Sequence, residues 1–167
     1  MTDIVAVVQK HRHSGLLIDS NLLLLLLVGR INRERVTAFK RTQKYTLKDF
    51  ELLSQIYAFF SKHWTTPQIL TEVSNLGGQL TEPELGRFRA VLAALVEVID
   101  ERYITSRRIT SHDSFARLGI TDAGLVLLSM DGPLLLTDDL PLYDYVARRG
   151  VDVINFNRLR VSNWRSR

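Results

Sequence analysis

Short, unbroken apolar runs alternate with amphipathic stretches along the chain, and the apolar runs end in acids and hydroxyls. Leu16-Leu17-Ile18 leads into Asp19-Ser20-Asn21, and Leu134-Leu135-Leu136 leads into Thr137-Asp138-Asp139. Runs of this length bounded by polar residues predict buried strands that end at those triplets. The first triplet is followed by Leu22 to Val28. Leucine favours helix, so a strand, a polar turn and a helix are expected in that order. Val151 to Ile154 predicts a last strand, and Tyr103-Ile104-Thr105 a short one.

Between these runs the apolar period changes to that of a helix. Leu47, Phe50, Leu53, Tyr57 and Phe60 place an amphipathic helix over about 46–62. Thr66 suits an N-cap and Pro67 the first helical position. That helix carries Ile69, Leu70, Glu72 and Val73 and is stopped by Asn75 and Gly77-Gly78. Thr81-Glu82-Pro83-Glu84 reads as a capping box before a helix that reaches about Glu101. Thr121 is the expected cap of a later helix, with Asp122 in its first turn, and Leu140 to Arg149 is a helix closed by Gly150. Strands alternating with helices imply βαβ units. The expected class is α/β, a three-layer α/β/α sandwich on a mostly parallel sheet.

Composition narrows this picture only slightly. The 167 residues suit one domain, with a core over about 14–156 and a basic tail over 157–167. There is no cysteine, which excludes disulfides and thiolate metal sites and agrees with a cytoplasmic setting. A net charge of +4 favours an anionic partner. Leu22 to Val28 is far shorter than the ~20 apolar residues of a membrane span, so no membrane association is expected.

The basic residues cluster. Arg30, Arg33, Arg35, Lys40, Arg41, Lys44 and Lys48 face a single acid, Glu34, with Phe39 and Tyr45 interleaved. Such a strip suits phosphate contact with aromatics for base stacking, which makes Arg33, Arg35, Lys40, Arg41 and Lys44 nucleic-acid-binding candidates. A solvated connection after the first helix explains it equally well. Arg107, Arg108 and His112 form a smaller group that reads as a solvated loop, with phosphate contact as the alternative. His11 and His13 would share a face of an extended lead-in, a pairing better explained by solvation than by metal binding. Arg158, Arg160, Arg165 and Arg167 read as a solvated tail.

The acids carry the chemistry. Asp19 and Asp138-Asp139 are expected just past the C-terminal ends of buried strands, where ligands bind in open α/β sheets. Asp122 at a helix start and Glu72 on an apolar flank can reach the same edge. Gathered carboxylates repel, and a hard divalent cation relieves them. Mg²⁺ or Mn²⁺ suits an all-oxygen set and supports water-driven phosphoryl displacement. No Ser-His-Asp or Gly-x-Ser-x-Gly arrangement offers a nucleophile.

The order Leu-Ile-Asp-Ser-Asn, Thr-Pro-x-Ile-Leu-Thr-Glu-Val, Gly-Ile-Thr-Asp-Ala and Leu-Leu-Thr-Asp-Asp-Leu-Pro-Leu resembles the PIN domain family over roughly residues 14–156. The resemblance implies an α/β/α sandwich and a Mg²⁺- or Mn²⁺-dependent endoribonuclease. By it, Asp19, Glu72, Asp122 and Asp139 are the catalytic, metal-binding acids. Asp138 is the second choice for the fourth position, and Ser20 and Thr137 orient carboxylates or water. Many small members are similar to VapC-type toxins. For them the partners are RNA, an antitoxin protein and a second copy of the chain. The long basic span between the first two acids departs from the compact toxins. A PIN-like module that binds nucleic acid without cleaving it is the alternative. Phosphatases of the haloacid-dehalogenase type and receiver domains fit less well. Asp19-Ser20-Asn21 lacks the Asp-x-Asp of the former, and no lysine ends a late strand as the latter need.

Overall fold

The computed structural model describes residues 4–165, and side chains through residue 160. Five strands form one all-parallel sheet in the order β3-β2-β1-β4-β5. They are β1 (Leu16–Ile18), β2 (His63–Thr65), β3 (Asp100–Glu101), β4 (Leu134–Thr137) and β5 (Val153–Asn155). Helices flank the sheet, giving the expected three-layer α/β/α sandwich. From central β1 the chain builds outward through β2 and β3, then returns to add β4 and β5 on β1's other side. The order therefore reverses between β1 and β4, and the crevice at such a point, outside the carboxyl ends of the strands, is where open α/β sheets bind ligands.

The two central strands read as continuous apolar runs because both of their faces are covered. Leu16, Leu17, Leu134 and Leu135 are all buried. So is every residue of the run Leu22 to Val28, within α2 (Ser20–Ile31). A helix that is apolar all round belongs inside a fold. It packs against α4 (Leu47–Phe59), α5 (Pro67–Gly77) and α6 (Glu84–Val96). Two glycines admit aromatic rings at close range. A Cβ on Gly29 would lie 2.3 Å from the Phe50 ring, and one on Gly77 would lie 2.0 Å from that of Phe88.

Several expectations are corrected. The lead-in is not extended: α1 (Ile4–Lys10) is a helix. His11 then bonds Asp152 at 2.9 Å and the Gly132 carbonyl at 2.9 Å, so it is a fastener and not half of a metal pair. β2 had no hydrophobic signature. It is held instead by its pairing with β1, by His63 stacked on Tyr57 at 3.7 Å, and by the Trp64 indole donating to the Ser14 carbonyl at 2.9 Å. Thr81 is not the cap, because α6 starts only at Glu84; its Gly86 amide bonds Glu82 Oε2 at 3.1 Å instead. That helix stops at Val96, since the chain turns there into β3, and residues 103–105 form no strand. Arg107 and Arg108 ride on α7 (Ser106–Thr110). The tail is also helical, as α10 (Phe156–Arg165), with the Arg165 side chain and Arg167 outside the described residues. Among the described residues no helix is long and apolar enough to cross a membrane.

Candidate active site

Asp19 leaves β1 in an extended conformation and caps α2, its Oδ1 accepting the Leu22 amide at 2.8 Å. The other oxygen, Oδ2, accepts the Thr137 hydroxyl and, at 2.9 Å, the Asp138 amide. Thr137 is the last residue of β4, next to β1 in register. Its hydroxyl also accepts the Asp139 amide at 3.0 Å, so one buried threonine ties Asp19 to the start of α9 (Leu140–Ala147). Asp139 caps that helix through Leu142 at 2.7 Å. Both acids thus use short-range capping chemistry to sit at the switch point.

The remaining two acids arrive on helices. α8 (Phe115–Ser129) breaks at Gly119, whose φ of 81° and ψ of 178° lie outside the helical region. Positive φ is the province of glycine, and the helix restarts immediately afterwards. Asp122 therefore falls in the first turn of the restarted helix, and Thr121 is a helical residue, not the cap. Glu72 lies in α5, which follows β2 through the Thr66 cap and Pro67. Burial first, then the charge of Asp139, then that of Glu72, pushes the Asp122 carboxyl up to about 7. Asp122, Asp139 and Glu72 therefore share one electrostatic neighbourhood. Burial and then Asp138 push Asp19 up to about 7 as well, against its three hydrogen bonds.

Asp138 lies beside Asp19, whose Oδ2 accepts its amide, but its own carboxylate is bonded by other residues. Its Oδ2 receives Lys44 Nζ at 2.6 Å and the Tyr45 hydroxyl at 2.7 Å, and its Oδ1 receives Asn21 Nδ2 at 3.3 Å. Burial acts to raise its carboxyl, but Lys44 and Tyr45 outweigh this and hold it below the usual carboxylate range. The two neighbouring acids face apart, as adjacent residues at a strand's end do.

The basic strip is used largely within the chain. Arg33 pairs with Glu51, Arg35 with Glu84 at 2.6 Å, and Arg41 bonds Gln79 at 2.9 Å. Lys44 alone of the five candidates is seen to reach the acids of the edge, while Lys40 is exposed. Asn21 and Tyr45, which sequence reasoning did not assign to the site, are its remaining polar members. Asn21 had been legible from its place beside Asp19. Tyr45 had not, because only the tertiary fold carries residue 45 to residue 138.

Among the described residues no three His, Cys, Asp or Glu side chains stand as a ready-made metal cage. The donor set nevertheless suits a hard divalent ion. It is all oxygen, two of its carboxyls are pushed up in part by other acids, and the Ser20 hydroxyl at the same turn is buried without a hydrogen-bond partner. The chain matches no family model and no curated protein.

Proposed function

We propose that the protein is a metal-dependent endoribonuclease, with Asp19, Glu72, Asp122 and Asp139 holding Mg²⁺ or Mn²⁺. The observation that carries this reading is the electrostatics at Asp122. A half-buried carboxyl facing two others is unfavourable unless a cation or proton relieves it. Its placement at the sheet's switch point, and the PIN-like order of the four acids, support the same conclusion.

A divalent cation bound there supplies Lewis-acid stabilisation of a phosphodiester under in-line attack by water. The chain's own residues do the positioning. Thr137 fixes Asp19 Oδ2 and the Asp139 amide together, so a change at either is felt at both. The Leu22 and Asp138 amides hold the rest of the Asp19 carboxylate, and the Ser20 hydroxyl is available to a water or cation. No protein nucleophile is required.

The test is cleavage of a labelled RNA with Mg²⁺ or Mn²⁺, by the wild type and by Asp122→Asn. Metal-dependent cleavage lost in the variant is the expected result. RNA bound but uncleaved would select the non-catalytic binding module. The resemblance extends to a toxin with an antitoxin partner and a homodimer. Growth arrest on expression, absent with Asp122→Asn, tests that extension, and sedimentation tests the dimer.

A further inference from the structure

Asp138 and Asp139 are adjacent, but Asp139 shares the neighbourhood of Asp122 and Glu72, whereas Asp138 lies beside Asp19 and its carboxylate is bonded by Lys44, Tyr45 and Asn21. The Asp138 side chain is 4% exposed, while Lys44 above it is 51% exposed. Oδ2 of Asp138 is taken by Lys44 and Tyr45, and Asn21 lies at 3.3 Å from Oδ1. An ammonium has three donors; among the described residues Lys44 Nζ bonds Asp138 and lies 4.9 Å from the centre of the Tyr45 ring. The pair is therefore a dipole with its positive end turned to solvent at the mouth of the site.

The loop that carries Lys44 is braced from beneath. Thr42 is fully buried, and the Tyr45 amide bonds its carbonyl at 2.9 Å. Arg160 of α10 donates to the Lys44 carbonyl at 3.1 Å and lies 5.4 Å over the Tyr45 ring. Arg160 also pairs with Asp49 at 2.9 Å, and Asp49 closes the capping box of α4 with Thr46. A cation held this way loses little freedom when it meets a ligand. It also answers an electrostatic need, because a polyanion brought to four carboxylates is otherwise repelled.

We propose that Asp138 is an anchor and not a metal ligand, and that it holds Lys44 to grip a backbone phosphate of RNA lying across the carboxylate edge. Asp138, Tyr45 and Arg160 are then positioning residues, and Lys44 is the group that touches substrate. This deepens the ribonuclease reading and rests on it for the identity of the ligand.

The experiment titrates a labelled single-stranded RNA, by fluorescence anisotropy in Ca²⁺ buffer, at several salt concentrations. Lys44→Gln keeps a donor for Asp138 but removes the charge. It should weaken binding about five- to ten-fold and flatten the salt dependence by about 0.7 in log–log slope, the value for one phosphate contact on a single strand. Lys44→Arg should recover most of the affinity, which a merely structural role would not predict. The exposed Lys48→Gln should match the wild type. Asp138→Asn should reproduce the Lys44→Gln loss, with little added in the double variant. Lys44→Gln binding RNA like the wild type, with an unchanged salt slope, overturns the inference, as does independent addition of the two losses. Lys44-dependent binding without cleavage in Mg²⁺ would refute the nuclease and leave the anchor standing. Cleavage with binding unmoved by Lys44→Gln would do the reverse, and a wild type that binds no RNA overturns both.

Discussion

Asp19→Asn separates a metal site from a simple helix cap, and its effect can be worked from the contacts. The amide oxygen of asparagine can still cap α2 at the Leu22 amide. Its NH₂ then faces the Asp138 N–H, which Asp19 Oδ2 now accepts at 2.9 Å. Two donors meet, and a buried donor left unsatisfied costs about 1–3 kcal/mol. The Thr137 hydroxyl can rotate and find another acceptor, so it adds little. Against this stands the burial of a charge. A carboxyl raised from 3.8 to about 7 penalises the fold by roughly 4 kcal/mol at neutral pH. The metal-free variant should therefore be as stable as the wild type, or about 1–3 kcal/mol more so, near neutral pH.

The sign of the pH dependence follows from the same shift. The folded pKa lies above the unfolded one, so the folded state holds the proton through the window from about 4 to 7. Metal-free stability should fall as pH rises through that window, by about 2–3 kcal/mol between roughly pH 5 and pH 8 for a group shifted this far. Asp122 acts in the same direction. The slope should be shallower in Asp19→Asn. Mg²⁺ binds only the native state and should raise the wild-type melting temperature, with a smaller rise in the variant. Chemical denaturation at both pH values, and thermal melts with Mg²⁺ and with EDTA, read all of this. A variant less stable than the wild type at the higher pH, with an unchanged Mg²⁺ response, would mean that Asp19 only caps its helix.

Gly77→Ala would set a Cβ 2.0 Å from the Phe88 ring, so it should cost about 1–3 kcal/mol or more in denaturant melts, although alanine is the better helix former. Arg160→Met removes the partner of Asp49, which is 9% exposed at its side chain, and should cost about 1–3 kcal/mol while also loosening the Lys44 loop. Proteolysis within residues 39–46 should then quicken, and an unchanged digestion pattern would show that α10 does not brace this loop. Leu24→Ala empties a fully buried position in α2 and should cost about 2–5 kcal/mol.

The sequence made legible what local chemistry decides. β1, β4 and α2 are marked by continuous leucine runs, and their burial on all sides is what those runs mean. Thr66-Pro67 opens α5 as its residue types require. β2 was not legible because His63-Trp64-Thr65 earns its place through stacking and a parallel neighbour, neither of which leaves a period in the sequence. Thr121 suits a cap by residue type, but α8 already begins at Phe115 and only kinks at Gly119, so the helix runs on both sides of that glycine and Thr121 lies inside it. How the basic strip is used is hidden for a related reason. A count of cations does not reveal Glu51 and Glu84, the acids that face Arg33 and Arg35 only after folding. Of the four-acid set, the order could be read along the chain. What could not be read is that Thr137 bridges Asp19 and Asp139, or that Asp138 turns away to Lys44.

The carboxyl edge is also where this fold departs from its own local consistency. Elsewhere the apolar runs are buried and several charged groups are paired across short distances, although Ser54 Oγ and Gln68 Oε1 are also buried without a partner. At the switch point two carboxyls are raised to about 7 and a serine hydroxyl is left without a partner. A fold selected for stability alone would replace Asp122 with an apolar residue, since removing a buried, unrelieved charge is commonly neutral or favourable. Such departures are expected at functional sites, where the strain is relieved by what binds. The neighbouring Asp138 supplies the contrast within one dipeptide. Its amide bonds Asp19, and its carboxylate is bonded by Lys44, Tyr45 and Asn21, which together hold it below the usual carboxylate range. The contrast between Asp122, raised by its neighbours, and Asp138, which already has Lys44, supports the proposal that the raised acids take a cation from solution.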